Sequence, residues 1–238
     1  MEKHLELAIQ PQPTPSTCGP TSLHAVYNYY GDDIALDRVV SEVEMLEDGG
    51  TLSVMLATHA LRRGYSAKIY TFNLTLFDPT WFDRERPVDL PARLREQARH
   101  KHGRKLQTAT RGYIEFLKLG GEVCYEDLSS ALIRRYLNKG IPLLTGLSST
   151  YLYRESREMS NQEPSDVAGE PQGHFVVLHG YNRELRQVAV ADPWYPNPHS
   201  DAHHYMIGME RVVCSILLGI VTYDANLLAI EQLKKGKQ

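Results

Sequence analysis

Apolar positions along this chain change their period several times, and each change marks an element. Leu23, Val26, Tyr27 and Tyr30 recur at i, i+3, i+4 and i+7, which predicts a helix over 17–30 with Gly31 as its stop. Leu36, Val39, Val40, Val43 and Leu46 predict a second helix, broken by Gly49-Gly50. A third begins with Thr51 as N-cap, carries Leu52, Met55, Leu56 and Ala60, and ends at Gly64. Tyr65 to Phe72 reads as a strand. From 73 to about 123 the pattern loosens around Pro79, Pro87, Pro91 and the run Asp83-Arg84-Glu85-Arg86, with one or two polar helices. That stretch is expected to be an insertion or lid on a single domain covering 1–238. A helix over Asp127–Asn138 and a strand over Ile141–Leu147 follow, then a polar, mobile loop at about 148–173.

The block Phe175-Val176-Val177-Leu178 reads as a buried strand. Asn182-Arg183-Glu184 is its turn, and Gln187 to Ala191 its antiparallel return, ended by Asp192-Pro193. Ser215 to Thr222 is predicted as a further strand. Asp224 is expected to cap a final helix carrying Leu227, Leu228 and Leu233, and Lys234-Lys235-Gly236-Lys237 to fray. Residues 1–17 read as loop, with Pro11, Pro13 and Pro15 holding an extended backbone. Helices come first and antiparallel strands later, which predicts an α+β fold.

Composition narrows the partners. Of 238 residues, 42% are hydrophobic and 23% charged, as in soluble globular proteins. The net charge of −3 favours neither nucleic acid nor an anionic membrane surface, and no such partner is expected. The longest apolar run, Val212 to Tyr223, is too short to span a bilayer, and the first residues lack a signal-peptide core. The expected location is therefore the cytoplasm. Cys18, Cys124 and Cys214 are too sparse for a disulfide framework, so each thiol needs its own explanation.

Cys18 has one. It opens a predicted helix, where unpaired N–H groups and the positive dipole end favour a thiolate. Gly19 leaves room for a substrate backbone, and Pro20 suits a first turn. A nucleophilic thiol needs a base, and among ten histidines only His174 follows a glycine at the start of a buried strand. Asp192, at the end of the return strand, is placed to orient the imidazole. His199, Asp201, His203 and His204 lack a familiar metal-ligand spacing and read as a solvated loop near the rim. Trp194, Tyr195 and Tyr205, like Tyr151 and Tyr153, suit either a groove or plain packing. No metal or cofactor is expected.

Gln12 six residues before Cys18-Gly19 and a helix, then Gly173-His174 on an apolar strand and Asp192-Pro193, resembles the papain-like cysteine peptidases. Within them the likeness is to the bacteriocin-processing, double-glycine leader peptidases, over residues 10–75 and 125–195. The resemblance implies a papain-like fold with N-terminal helices on a C-terminal antiparallel sheet. It implies Cys18 as nucleophile, His174 as base, Asp192 as orienter and Gln12 in the oxyanion hole; Gln10 and Gln172 lack the family spacing. The implied reaction is cleavage of a peptide or amide bond. The alternatives are an acyltransferase on the same triad and a catalytically silent peptide-binding module. Two departures bear on the substrate: 156 residues separate Cys18 from His174, and no transporter segment follows. The oligomeric state stays open.

Overall fold

Strands that are apolar on both parities need cover on both faces. The computed structural model describes residues 2–47 and 49–233, so the basic run 234–237 lies outside the described residues. The described residues form a sheet of eight strands: β1 (Glu2–His4), β2 (Tyr65–Thr71), β3 (Glu122–Cys124), β4 (Leu143–Ser148), β5 (Gly173–Asn182), β6 (Gln187–Ala191), β7 (His204–Gly208) and β8 (Asn226–Gln232). Their order is β3-β2-β8-β4-β5-β6-β7, and β1 joins β5 beyond a bulge between Leu178 and Gly180. Only the β2–β3 pair is parallel.

Among the described residues eight helices pack on or around this sheet: α1 (Cys18–Tyr29), α2 (Leu36–Glu42), α3 (Ser53–Arg62), α4 (Leu90–His100), α5 (Arg104–Lys118), α6 (Ser130–Asn138), α7 (Ser149–Tyr153) and α8 (Met209–Leu218). One core packs Leu23, Leu56, Leu106 and Phe116 of α1, α3 and α5 against Phe175 and Val177 of β5. The other packs Leu132, Leu152, Val212 and Ile216 of α6, α7 and α8 against Val176 and Leu178. The pleat of β5 sends alternate residues to opposite cores, which is why its sequence shows no polar alternation. Each such fully buried side chain contributes roughly 1.5–3 kcal/mol. The fold is α+β, as expected.

The C-terminal expectations are corrected. The predicted strand Ser215–Thr222 is instead the end of α8 followed by a 3-10 turn, Gly219–Thr222. Met209, Val212 and Ile216 are buried while Leu217, Leu218 and Val221 are exposed, a helical spacing hidden inside a continuous apolar run. The predicted final helix is the strand β8. It lies between β2 and β4, so Leu227, Leu228, Ala229 and Ile230 are all buried, and Asp224 caps no helix.

Smaller differences have local causes. α2 ends at Glu42 because Val43 is extended, and Leu52, not Thr51, is the N-cap of α3; the Thr51 hydroxyl donates to the Glu44 carbonyl instead. β1 and β7 arise where loops were expected, each by pairing with an apolar strand. Within 73–123, α5 buries Leu106, Ala109, Tyr113 and Phe116. Gly112 allows its approach to α3: a Cβ there would lie 2.9 Å from a Val54 methyl.

Candidate active site

The start of α1 is fixed by a tight turn. The Thr17 hydroxyl donates to the Thr14 carbonyl at 2.9 Å and accepts from the Thr14 N–H at 3.0 Å. Cys18 is thus the first helical residue, with first-turn N–H groups that have no partner inside the helix. Ser22 pins α1 to the strand beside it by donating to the Phe175 carbonyl at 3.1 Å. Gly19 is buried in that contact, where a Cβ would lie 2.5 Å from Thr51 and 3.3 Å from the Phe175 ring. Its role is close packing, which replaces the expected role of admitting a substrate backbone.

The β5–β6 hairpin supplies the other two groups. The pairing of Val177 with Ala191 brings the start of β5 beside the end of β6. His174 shares the parity of Val176 and Leu178, and Asp192 that of Val188 and Val190, so both side chains leave the same face. The His174 Nε2 lies 2.8 Å from Asp192 Oδ1. That leaves Nδ1 for Cys18, and the thiol near the ring favours its protonated form. Trp194 stands edge-on to the His174 ring at 6.2 Å between centroids.

Asp192 is fully buried yet has a partner in every direction. Oδ1 also accepts from the Trp194 N–H at 2.9 Å, and Oδ2 accepts from the Tyr153 hydroxyl at 2.5 Å and the Tyr205 hydroxyl at 2.8 Å. Burial pushes its pKa up, but His174, the Tyr153 hydroxyl and the Trp194 N–H outweigh burial and hold it below the usual carboxylate range. Burial likewise opposes charge on His174, yet Asp192 first and Cys18 second raise its pKa above the ordinary imidazole value. The pair therefore favours an imidazolium beside a carboxylate.

Cys18, His174 and Trp194 line one cavity of about 1100 Å³. Gln12 lines it too. Its backbone N–H donates to the Pro193 carbonyl at 2.9 Å, and its amide Nε2 donates to the Thr14 carbonyl at 3.0 Å. One amide hydrogen remains, and Oε1 is buried without a partner. Arg157, Glu158 and Glu170 of the segment 154–172 line the cavity, as does Lys105 of α5.

Sequence reasoning missed Asp224, which it took for a helix cap. Asp224 is a buried carboxyl in the cavity wall. It fills the space that a Cβ on Gly146 or Gly173 would take, at 2.8 and 2.7 Å. No local sequence signal marks it, because the glycines that admit it lie on other strands. The aromatic ambiguity resolves at Tyr153 and Tyr205, which serve Asp192. The structure leaves Cys124 half-buried on β3 and Cys214 exposed on α8, outside this cavity. The histidine group lies on a partly exposed loop, as expected, with His204 opening β7, but its imidazoles have partners. His203 Nδ1 meets the Asp192 carbonyl at 2.8 Å, His199 Nε2 meets the Leu152 carbonyl at 2.9 Å, and His204 meets His179 at 3.2 Å. No group of three or more His, Cys, Asp or Glu among the described residues could hold a metal ion.

A model of the C39-like peptidase family matches residues 100–212, a stretch that holds His174 and Asp192 but not Cys18. The chain resembles the C39-like cysteine peptidases. A solved structure from Bacillus anthracis, named as a C39-like peptidase, superposes with a TM-score of 0.55 at 12% identity, covering 99% of this chain and 100% of that one. The peptidase domain of an AMS/PCAT transporter, a double-glycine-motif protease solved with its leader peptide, gives 0.47 at 14% identity, over 97% and 95%. No curated protein matches significantly. The resemblance read from the motifs is borne out by the family match, and the solved structure shows the same fold. Among the described residues no helix is long and apolar enough to cross a membrane.

Proposed function

We propose that the chain is a cysteine peptidase or amidohydrolase acting through an acyl-enzyme on Cys18. The observation that carries this is the contact of His174 Nε2 with Asp192, which leaves Nδ1 for the thiol at the start of α1. The Cys18 sulfur attacks the scissile carbonyl carbon. The imidazolium of His174 gives its proton to the departing amine, and the acyl group stays on sulfur as a thioester. Water then attacks that thioester while His174 takes its proton, releasing the acid and the thiolate. Asp192 keeps the ring oriented throughout. The Cys18 N–H and the free amide hydrogen of Gln12 are the donors for the oxyanion.

The substrate class is a peptide or amide, held in a cavity whose edges carry both signs of charge, and 73–123 is an insertion that brings Lys105 to it. Three free thiols suit a reducing compartment, the cytoplasm. The test is mass spectrometry after brief incubation with glycine-rich peptides. A thioester adduct on Cys18, absent after Cys18→Ala, is the expected result. In parallel, iodoacetamide at mildly acidic pH should modify Cys18 far faster than Cys124 or Cys214. Equal rates at the three thiols would remove the reading.

A further inference from the structure

One oxygen of Asp192 faces His174, and the other faces two phenols from different elements. Tyr153 comes from α7 and Tyr205 from β7, and both hydroxyls donate to Oδ2, at 2.5 and 2.8 Å. Burial and the neighbouring carboxylate raise the pKa of both phenols, so they remain protonated donors. A buried carboxylate satisfied by aliphatic packing alone would protonate; two hydroxyl donors favour its ionised form.

Tyr153 has a second connection. It is the last residue of α7, and Arg154 after it is left-handed, at φ 60, where the segment 154–172 departs. That segment returns at Gln172, which is stitched to the start of α7: its N–H donates to the Thr150 hydroxyl at 2.9 Å and its carbonyl accepts from the Ser149 N–H at 3.0 Å. Gln172 is two residues before His174. Both ends of the segment that walls the cavity thus meet at the helix carrying Tyr153.

We propose that Tyr153 and Tyr205 are positioning residues: together they hold Asp192 ionised and aimed at His174, and Tyr153 links that aim to the segment 154–172. The proposal rests on the triad reading above. Other titratable groups face this carboxylate. His203 bonds its backbone carbonyl, His199 packs against both phenol rings at 5.5 and 5.1 Å, and the charge of His174 also pulls on Asp224.

The test is the rate of Cys18 alkylation by iodoacetamide as a function of pH, in the full chain. Removing a donor from the ionised form raises the carboxylate pKa, so the acid limb moves to higher pH. Tyr153→Phe and Tyr205→Phe should each move it by about one pH unit, the effect of one hydrogen bond to a charge. The double variant should move it further than the sum, because both donors share one oxygen. His199→Gln should leave the limb in place. An unmoved limb in folded single and double variants would overturn the proposal, even if turnover fell. If Tyr153→Phe does not fold, Tyr205→Phe on the half-buried β7 decides alone. A wild type with no acid limb would sink the triad reading and the clamp with it.

Discussion

Asp192 and Asp224 line or adjoin the same cavity, and both are buried, at 0% and 6% exposure. Their surroundings differ. Asp192 has four donors, and its pKa is held down. Asp224 has Thr222 at 2.8 Å on Oδ2 and nothing on Oδ1, and burial, against the weaker pull of Thr222 and Lys105, pushes its pKa up to about 7. Even the Thr222 proton is shared with the Gly219 carbonyl at 3.0 Å. Depth is thus similar and the two pKa shifts run in opposite directions. Partners, not burial, decide the direction in which each aspartate is shifted.

The sharpest way to isolate the Asp192 side is to remove what it serves. Cys18→Ala should lower peptide turnover by about 10⁴-fold or more, while leaving the His174–Asp192 contact and the melting temperature nearly unchanged. Retained turnover would assign the chemistry to another residue. Asp192→Asn removes the charge and keeps the volume. Turnover should fall by about 10²–10⁴. Its stability effect has a defined window. Asp192, with a lowered folded pKa, contributes stability that is present above about pH 4 and lost as pH falls through the folded value. His174, with a raised folded pKa, contributes below about pH 6.5 and loses it as pH rises through the folded value. The wild type should therefore exceed Asp192→Asn in melting temperature most between about pH 4 and 6.5, by calorimetry. A difference that grows above that window would contradict the ion pair.

Gln12 resembles Asp224 in having an unpartnered buried oxygen, but under the proposed mechanism its remaining amide hydrogen is the one that donates to the oxyanion. Gln12→Ala should cost about 10²–10³ in turnover, the effect of one oxyanion donor. Cys18 alkylation and thermal stability should hardly change. Full activity would place the donor elsewhere, with Gln10 the next to test, and an unfolded variant would make Gln12 structural.

Much of this was legible in the sequence, and the exceptions follow a pattern. α1, the β5–β6 hairpin and the α+β order were readable because each shows a local period or turn. Cys18, His174 and Asp192 were readable because each sits at an element end, where a side chain can leave the core without its backbone leaving it. Residues 209–232 were not: in Val212–Thr222 the exposed Leu217, Leu218 and Val221 are as apolar as the buried positions and hide the helical spacing, and Leu227–Ile230, buried all round, carries no period. Tyr153, Tyr205 and Asp224 depend on contacts between elements far apart in the chain. No spacing rule reaches 39 residues from Tyr153 to Asp192.

The smallest effect on chemistry and the clearest on stability belong to Asp224. Its raised folded pKa means that the protonated form suits the fold. The contribution is therefore fully present below the unfolded value of about 4 and lost as pH rises through about 7. Above that, the wild type must ionise a carboxyl whose Oδ1 has no donor, at a free-energy penalty of at most roughly 4 kcal/mol. Asp224→Asn keeps the shape that fills the space beside Gly146 and Gly173, and it cannot ionise. The variant should match the wild type in melting temperature near pH 4 and exceed it above pH 7, with turnover on peptides changed only a few-fold. Asp192→Asn, in contrast, should never exceed the wild type. If Asp224→Asn lowers the melting temperature at pH 8, the carboxyl has a donor that its surroundings do not reveal, and the contrast between the two aspartates fails.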